Sequence, residues 1–346
     1  QEVVMKIGYM PDTHSGAYDQ PLPSRETVAD FAEQLLEEGE QAERSGFDGV
    51  FFPERHARTE CVFPPPLIIM AALAARTRLV DLGTMVLQPP LYNPMHLAED
   101  VAMVDNLSRG RVRLGVGMGY HPDYFNLFGE PHKQRFSRFE ESIEILRGAW
   151  SSPGKYSFHG KRYHFENVLL SPKPYQSGGP PLWIGAAYPE AIKRAGRLGD
   201  AWAILPFWDS FETLRSQADI YREEAAKHGR RPMVVLMRDG WVARTQEEAE
   251  RTFGELWVQD MLYYYRYGLL TPNPEFQSES DFTVAKMRKF LVLGDPQTCV
   301  ERAKYWCDAL DADYLIIRSR VPLGPRRAET MQCLQLFGEE VLPHLR

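Results

Sequence analysis

The sequence predicts an α/β fold: one (β/α)8 TIM barrel with insertions after the fourth helix and late in the barrel. Three observations predict it. Short apolar runs of strand length alternate with longer segments whose apolar residues recur at helical spacing. The order is strand first, eight times over, with no break in composition that would mark two domains. The 346 residues exceed the roughly 250 of a typical barrel, which leaves room for insertions.

The elements follow in order. Val3-Val4-Met5-Lys6-Ile7-Gly8-Tyr9 reads as the first strand. Its helix carries Phe31, Leu35, Leu36, Glu40 and Ala42 and stops near Ser45-Gly46, glycine being a good helix terminator. Asp48-Gly49-Val50-Phe51-Phe52 is the second strand, with a helix over 67–75 after Pro64-Pro65-Pro66. Residues 79–87 form the third strand, followed by a helix through 96–106. Arg111-Val112-Arg113-Leu114-Gly115-Val116-Gly117 is the fourth, and a long loop leads to a helix over 136–150. Pro181-Leu182-Trp183-Ile184-Gly185, Asp200-Ala201-Trp202-Ala203-Ile204, residues 233–243 and Asp313-Tyr314-Leu315-Ile316-Ile317 supply strands five to eight. Helices near 189–198, 211–228, 246–265 and 326–342 fill the gaps, so residues 1–346 form one domain. Two excursions exceed ordinary loop length: 151–177, with alternating aromatic and polar residues, and 269–289, beginning in TPNPEF. Long ordered loops in compact domains are often lids.

Composition narrows function. The chain is 44% hydrophobic and 25% charged, the balance of a soluble globular protein. A net charge of -7 and a pI near 5.8 argue against nucleic acid and anionic membranes as partners. Cys61, Cys299, Cys307 and Cys333 show no CxxC or zinc-like spacing and are too few for a disulfide scaffold. The first residues lack a signal-peptide pattern and no apolar run approaches 18 residues, so a cytoplasmic location is expected.

In such a barrel the active site lies at the C-terminal strand ends. Those ends hold residues 9–14, Pro53-Glu54-Arg55-His56, residues 85–88 and Gly117-Met118-Gly119-Tyr120-His121. The second half adds Gly185-Ala186-Ala187, Leu205-Pro206-Phe207-Trp208, Arg238-Asp239 and Arg318-Ser319-Arg320. This largely aromatic and apolar mouth suits a flat ring system. Glu54-Arg55-His56 is the densest ionisable cluster, and His56 is a candidate general base; the alternative is a structural Glu54–Arg55 pair with His56 a bystander. Gly115-x-Gly117-x-Gly119 is no dinucleotide fingerprint, because His121-Pro122-Asp123 intervenes before any helix. Its glycines either admit a planar ligand to the backbone or make a strand-end turn. His159 and His164 have no carboxylate or cysteine at ligand spacing, so no metal is assigned. GxSxG, P-loop and HExxH motifs are absent. Tyr263-Tyr264-Tyr265 and Tyr267 read as helix packing.

Several blocks together resemble the bacterial luciferase-like flavin-dependent monooxygenases: GFDGVFFPERH, LGTMVLQPPLYNPMHLAEDVAMVDNLSRGRVRLGVGMGY, Phe128-Gly129, QRFSRFEESIEILRGAW, PPLWIGAAYPEAIKRAGRLGDAWAI and LVLGDPQTCVERAKYWCDALDADYLIIR. The resemblance covers about residues 3–320 and implies a (β/α)8 barrel with a large late insertion. It implies reduced FMN at the barrel mouth, supplied by a separate NAD(P)H-dependent flavin reductase and used with O2, or in sister groups a deazaflavin used for hydride transfer. It places a non-prolyl cis peptide at Met85–Val86, beside Thr84, and makes 269–289 a candidate lid. It also implies a homodimer.

Departures from the family pattern matter as well. The first, base-like histidine of the family's pair is Arg55 here, and only His56 remains; an arginine cannot be a base at neutral pH but can stabilise an anion. The phosphate-contacting Arg between the two glycines is Met118, and the phosphate-contacting Ser is Ala187. Backbone N–H groups near Ala187-Tyr188, following Gly185-Ala186, can hold a phosphate, with Arg135 or Arg138 as the cation. The main reading is an FMN-dependent monooxygenase of a small apolar or aromatic substrate with Glu54, Arg55 and His56 near the reacting centre. The alternative is a deazaflavin-dependent oxidoreductase, and a third reading is a barrel that has lost its cofactor and serves as a non-catalytic partner.

Overall fold

The computed structural model describes residues 5–205, 209–266, 268, 270 and 273–346. Val3 and Val4 of the first expected strand, Phe207 and Trp208 at the sixth strand end, Tyr267, and Leu269, Thr271 and Pro272 at the head of the late excursion lie outside them. The first half runs β1 (Lys6–Met10), α1 (Arg25–Arg44), β2 (Gly49–Phe52), α2 (Pro66–Arg76), β3 (Asp81–Thr84), α3 (Pro94–Ser108), β4 (Val112–Val116), α4 (Pro122–Leu127) and α5 (Arg135–Ser151). A hairpin, β5 (Tyr156–His159) and β6 (His164–Val168), occupies the first excursion. The second half runs β7 (Leu182–Gly185), α6 (Pro189–Leu198), β8 (Ala201–Ile204), α7 (Phe211–Lys227), β9 (Val234–Val242), α8 (Gln246–Ala249), α9 (Glu255–Arg266), α10 (Val284–Met287), β10 (Val292–Gly294), α11 (Pro296–Leu310), β11 (Tyr314–Arg318) and α12 (Arg327–Glu340). No described helix is long and apolar enough to cross a membrane.

Strands β1, β2, β3, β4, β7, β8, β9 and β11 pair in parallel in that order, and β11 returns to β1, which closes the barrel. β10 adds to the outer end of β9, Val292 opposite Gly240. The eightfold expectation therefore holds, with differences in detail. The helix expected over 246–265 is α8 and α9 joined through a π-helical turn at Glu250–Gly254. The seventh crossover also contains the short α10 and a full-length helix, α11, which a one-helix-per-strand count passes over although Asp295 caps α11 and Pro296 occupies its first turn. β3 is shorter than expected because the chain leaves the ladder at Met85–Val86, a cis peptide bond. It rejoins only at the bridge of Leu87 to Val116.

The barrel interior is packed by size complementarity. Gly8, Gly49 and Gly83 stand on the inner faces of the first three strands, and large rings fill the space they leave. Phe51 stacks on Trp183 with centroids 5.4 Å apart, and Tyr314 abuts both at 5.4 and 5.3 Å. A Cβ on Gly83 would lie 2.5 Å from the Phe51 ring, and one on Gly8 2.7 Å from it. Alternation of large and small side chains achieves interior density without voids. This plug closes the N-terminal half of the barrel and leaves a cavity at the C-terminal strand ends.

Residues 273–289 do not cover that cavity. Phe276, Phe282 and Met287 are buried, and Tyr265 on α9 packs against Phe282 at 4.9 Å. None of these residues lines the cavity, whereas α9 contributes Met261 and Tyr264. The apolar residues of the excursion pack on Tyr265 and Phe290, and none of its described residues lines the cavity.

Candidate active site

A cavity of about 310 Å³ opens at the C-terminal strand ends, lined largely by apolar groups. One wall is Met85, Val86, Gly117, Met118, Gly119, Gly185, Ala186 and Ala187, from β3, β4 and β7. The rest of the lining, from β1, β2, β9, β11 and α9, includes Met10, Arg55, Met237, Arg318, Met261 and Tyr264. Tyr120 and Tyr188, both exposed, flank the entrance.

The first wall explains the glycines. A Cβ on Gly115 would collide with the Thr84 carbonyl, one on Gly117 would lie 2.8 Å from Val86 Cγ2, and one on Gly185 3.3 Å from Val86 Cγ1. These glycines admit the inward step of β3 at Met85–Val86. Thr84 braces the step by donating from Oγ1 to the Gly115 carbonyl at 2.6 Å, so its side chain is turned away from the cavity. Gly119, at φ +75°, is the one of the set that needs glycine's conformational freedom.

The strand-two cluster separates into three roles. Glu54 lines the cavity through its backbone, but its carboxylate is sealed inside: Oε2 accepts the Gln88 N–H at 2.6 Å and Oε1 accepts the Tyr92 hydroxyl. Gln88 Nε2 donates to the Glu54 carbonyl at 3.2 Å. The carboxylate thus holds the chain that follows the cis peptide. His56 is not a lining residue. It packs edge-on to Tyr124 and Phe128, with ring centroids 5.5 and 4.9 Å away. Its Nε2 lies 3.3 Å from Glu54 Oε1 but out of hydrogen-bond alignment. As placed, it reaches no ligand in the cavity. Arg55 does face the cavity, and Nη1 is anchored on Asp12 Oδ1 at 2.7 Å.

Behind Arg55 lies a buried charge network whose strand-end members stand among the candidates named from sequence, although no role was given to them. Arg318 donates to Asp12 Oδ2 at 3.0 Å, to Asp239 Oδ1 and to Asp260 Oδ2 at 3.4 Å. Asp239 also accepts Trp257 Nε1–H at 2.7 Å, and Asp260 the Tyr18 hydroxyl. Burial opposes ionisation of Asp12, but the guanidiniums of Arg55, Arg318 and Arg320 outweigh it and hold its carboxyl well below the usual range. His14 is approached by Arg58 Nη2 at 3.1 Å and Cys61 Sγ at 3.0 Å on Nε2. Burial first, then Arg55, keeps its imidazole neutral. The sign for stability follows: below about pH 6.5 the unfolded chain takes up a proton that folded His14 refuses. Stability is expected to fall there by up to about 1.4 kcal/mol per pH unit, and His14→Gln should flatten that slope in urea unfolding at pH 7.5, 6.5 and 5.5. Unchanged slopes would show that another group governs the window.

The expected phosphate cations lie elsewhere. Arg138 pairs with Glu130 at 2.5 Å and donates to the Tyr163 hydroxyl at 2.8 Å, tying the hairpin to α5. Arg135 lies 4.4 Å over Phe136 and donates to the His132 carbonyl. Neither lines the cavity. Arg194, which the sequence reading overlooked, does approach it: Nη1 is 3.4 Å from Met118 Sδ, and Nε donates to Glu140 at 2.7 Å. It sits one turn beyond Ala191 on α6, a position with no signal until β4 and α6 are seen side by side. Arg238 faces outward over Trp306 at 4.1 Å, its pKa pushed down to about 10 by burial. The histidine pair on the hairpin needs a correction: folding brings Glu166 Oε2 to 3.3 Å from His159 Nε2, so a carboxylate does stand beside His159 and His164. Their register opposite one another creates that proximity. The four cysteines are free and buried.

Comparison with known proteins places this geometry. The family model described as luciferase-like monooxygenase matches residues 5–312. The oxygenase component of flavin-dependent trigonelline monooxygenase from Acinetobacter baylyi is 26% identical over 302 residues, 82% of each chain. An F420-dependent glucose-6-phosphate dehydrogenase from Amycolatopsis mediterranei is 29% identical over 340 residues, 90% of this chain and 94% of that one. Among solved structures, the monooxygenase RslO1 from Streptomyces bottropensis superposes with a TM-score of 0.84 at 24% identity, covering 99% and 100% of the two chains. The oxygenating constituent of 3,6-diketocamphane monooxygenase from Pseudomonas putida, in complex with FMN, gives 0.79 at 19% identity, with 98% of each covered; these two likenesses speak for the fold. With the family model matching nearly the whole barrel, the chain belongs to the luciferase-like monooxygenase family, whose members are flavin- or F420-dependent monooxygenases and oxidoreductases.

Proposed function

We propose that the chain is the oxygenating component of a two-component flavin monooxygenase, taking reduced FMN from a separate NAD(P)H-dependent flavin reductase and oxidising a small organic substrate with O2. The observation that carries this reading is a largely apolar cavity whose described lining residues include no free imidazole or carboxylate. Glu54 is sealed, His56 and His14 stand behind the wall, and Arg318 is committed to carboxylates. Hydride removal from an alcohol needs an acceptor for the hydroxyl proton; the described lining residues hold no imidazole or exposed carboxylate for that task. The cavity chemistry suits a planar ring: backbone and small side chains of β4 and β7 face the Met85–Val86 step, and Met10, Met237 and Met261 close the other side. Reduced flavin, when bound, supplies the electrons that activate O2, and the protein supplies orientation and exclusion of water.

Glu54 would hold the ring-facing step through Gln88, and the start of α6 with Arg194 would receive the phosphate. Arg194→Ala is then expected to weaken FMN about tenfold while leaving riboflavin binding nearly unchanged, as loss of one charge-assisted contact predicts. Equal losses for both flavins would remove Arg194 from that role.

A deazaflavin reading keeps one specific support, the absence of side-chain donors at Met118 and Ala187. Anaerobic titration of the protein with reduced FMN and with reduced deazaflavin coenzyme decides between the two. Tighter FMN binding, followed by substrate oxygenation with ¹⁸O from labelled O2, is the expected result. Tighter deazaflavin binding would overturn the proposal.

A further inference from the structure

Arg55 is the only charged group among the described lining residues with hydrogen-bonding capacity still turned toward the cavity. The Glu54 carboxylate is fully buried, with both oxygens accepting. Arg318 is 3% exposed in its side chain, and its three nitrogens all donate to carboxylates. Arg55 is different. Its only hydrogen bonds among the described residues leave from Nη1, to Asp12 Oδ1 at 2.7 Å and toward His14 Nδ1 at 3.0 Å. Nε and Nη2 are not among the sealed, unpartnered atoms, and the side chain keeps 15% of its surface. The free Nε–Nη2 edge is the side-on fork of the guanidinium, which matches the two oxygens of a carboxylate. Asp12 fixes the orientation of that fork and shares its own charge with Arg318, so it only partly neutralises Arg55. Tyr264 of α9 lies near Arg55, and the cavity they share is largely apolar, with Met261 and Met237 in its lining, so a charge-assisted pair there is stronger than in water.

We propose that the substrate carries a carboxylate, held by the Nε–Nη2 edge of Arg55, which Asp12 draws toward the β1 side of the cavity. The assignment rests on the flavin-monooxygenase reading of the same cavity and adds to it the class of substrate. Arg55 is a specificity-determining residue in this arrangement. Asp12 positions it.

The test uses benzoate and benzamide, which share shape and differ in charge, titrated calorimetrically into the whole protein with and without FMN. Benzoate is expected to bind at least about tenfold more tightly than benzamide, the worth of a charge-assisted contact. Arg55→Met should erase that preference. Arg55→Lys, which keeps the charge without the fork, should retain part of it. FMN affinity should stay within about threefold of wild type in both variants, since neither changes Met85–Val86, the strand-end glycines or Arg194, to which the flavin is assigned. Equal binding of benzoate and benzamide to the wild-type protein, or a preference that survives in Arg55→Met, overturns the assignment. If Arg55→Met fails to fold by circular dichroism, the wild-type ratio and Arg55→Lys decide. Failure of FMN to bind at all, with the benzoate preference intact, would sink the cofactor reading and leave the Arg55 anion site standing.

Discussion

Arg318→Met is expected to lower folding stability by about 3–5 kcal/mol at pH 7.5, the range for a buried ion pair that loses one partner. The guanidinium joins three buried carboxylates from three separate elements: Asp12 after β1, Asp239 in β9 and Asp260 in α9. Methionine fills much of the volume but removes the ion-pair partner of Asp239 and Asp260 and leaves Asp12 paired to Arg55. The pH dependence separates this from a packing defect. In the variant, the stranded carboxylates bind protons more readily in the folded state than in water, so acidification relieves the penalty. The gap between variant and wild type should narrow between pH 7.5 and 5.5 in urea unfolding. A loss of the same size at both values would mean that packing, not charge, is what Arg318 supplies.

Glu54→Ala and Glu54→Gln are expected to diverge widely. Alanine leaves the Gln88 N–H and the Tyr92 hydroxyl without acceptors in a buried place, at about 1–3 kcal/mol for each orphaned donor. It also releases the chain that follows Met85–Val86, so reduced-FMN affinity should fall at least about tenfold with the lost order. Glutamine can accept from the Gln88 N–H with its oxygen and donate to the Tyr92 hydroxyl, which can turn to accept. Its stability and flavin affinity should stay close to wild type. Titration of both variants with reduced FMN, with thermal unfolding alongside, provides the check. A glutamine variant as damaged as the alanine one would mean that the negative charge of Glu54 acts directly on bound ligand and not through Gln88 and Tyr92.

The cluster at Glu54-Arg55-His56 shows how far reading from sequence reaches. Its position at a strand end was legible, because eight strand-length runs followed by helical segments leave few other ways to close a sheet. The assignment of tasks within it was not. On a chain leaving a strand, neighbouring side chains point to different sides, and which one meets the cavity depends on how the backbone turns after Phe52. The turn aims Arg55 inward, folds Glu54 back onto Gln88 and Tyr92, and carries His56 against Tyr124 and Phe128. For the glycines after β4 the sequence leaves open a planar ligand against the backbone or a strand-end turn; what approaches Gly117 is Val86, one strand away in the sheet and 31 residues away in the chain.

Arg194 and Glu166 were out of reach for the same reason. Each becomes chemically interesting only beside a partner distant in space from sequence: Arg194 beside Met118 across two elements, Glu166 beside His159 across a hairpin. The missed helix α11 was within reach, since Asp295 and Pro296 mark its start; a rule of one helix per strand concealed it.

Periodicity, helix stops and glycine placement, all local along the chain, sufficed to determine from sequence an eightfold barrel with two excursions and a largely apolar mouth at the strand ends. Only the tertiary structure decided which charges are sealed and which one is open. The ionisation and the direction of a buried side chain depend on partners from other strands, and Asp12, Asp239, Asp260 and Arg318 come together only when β1, β9, β11 and α9 close around the same point.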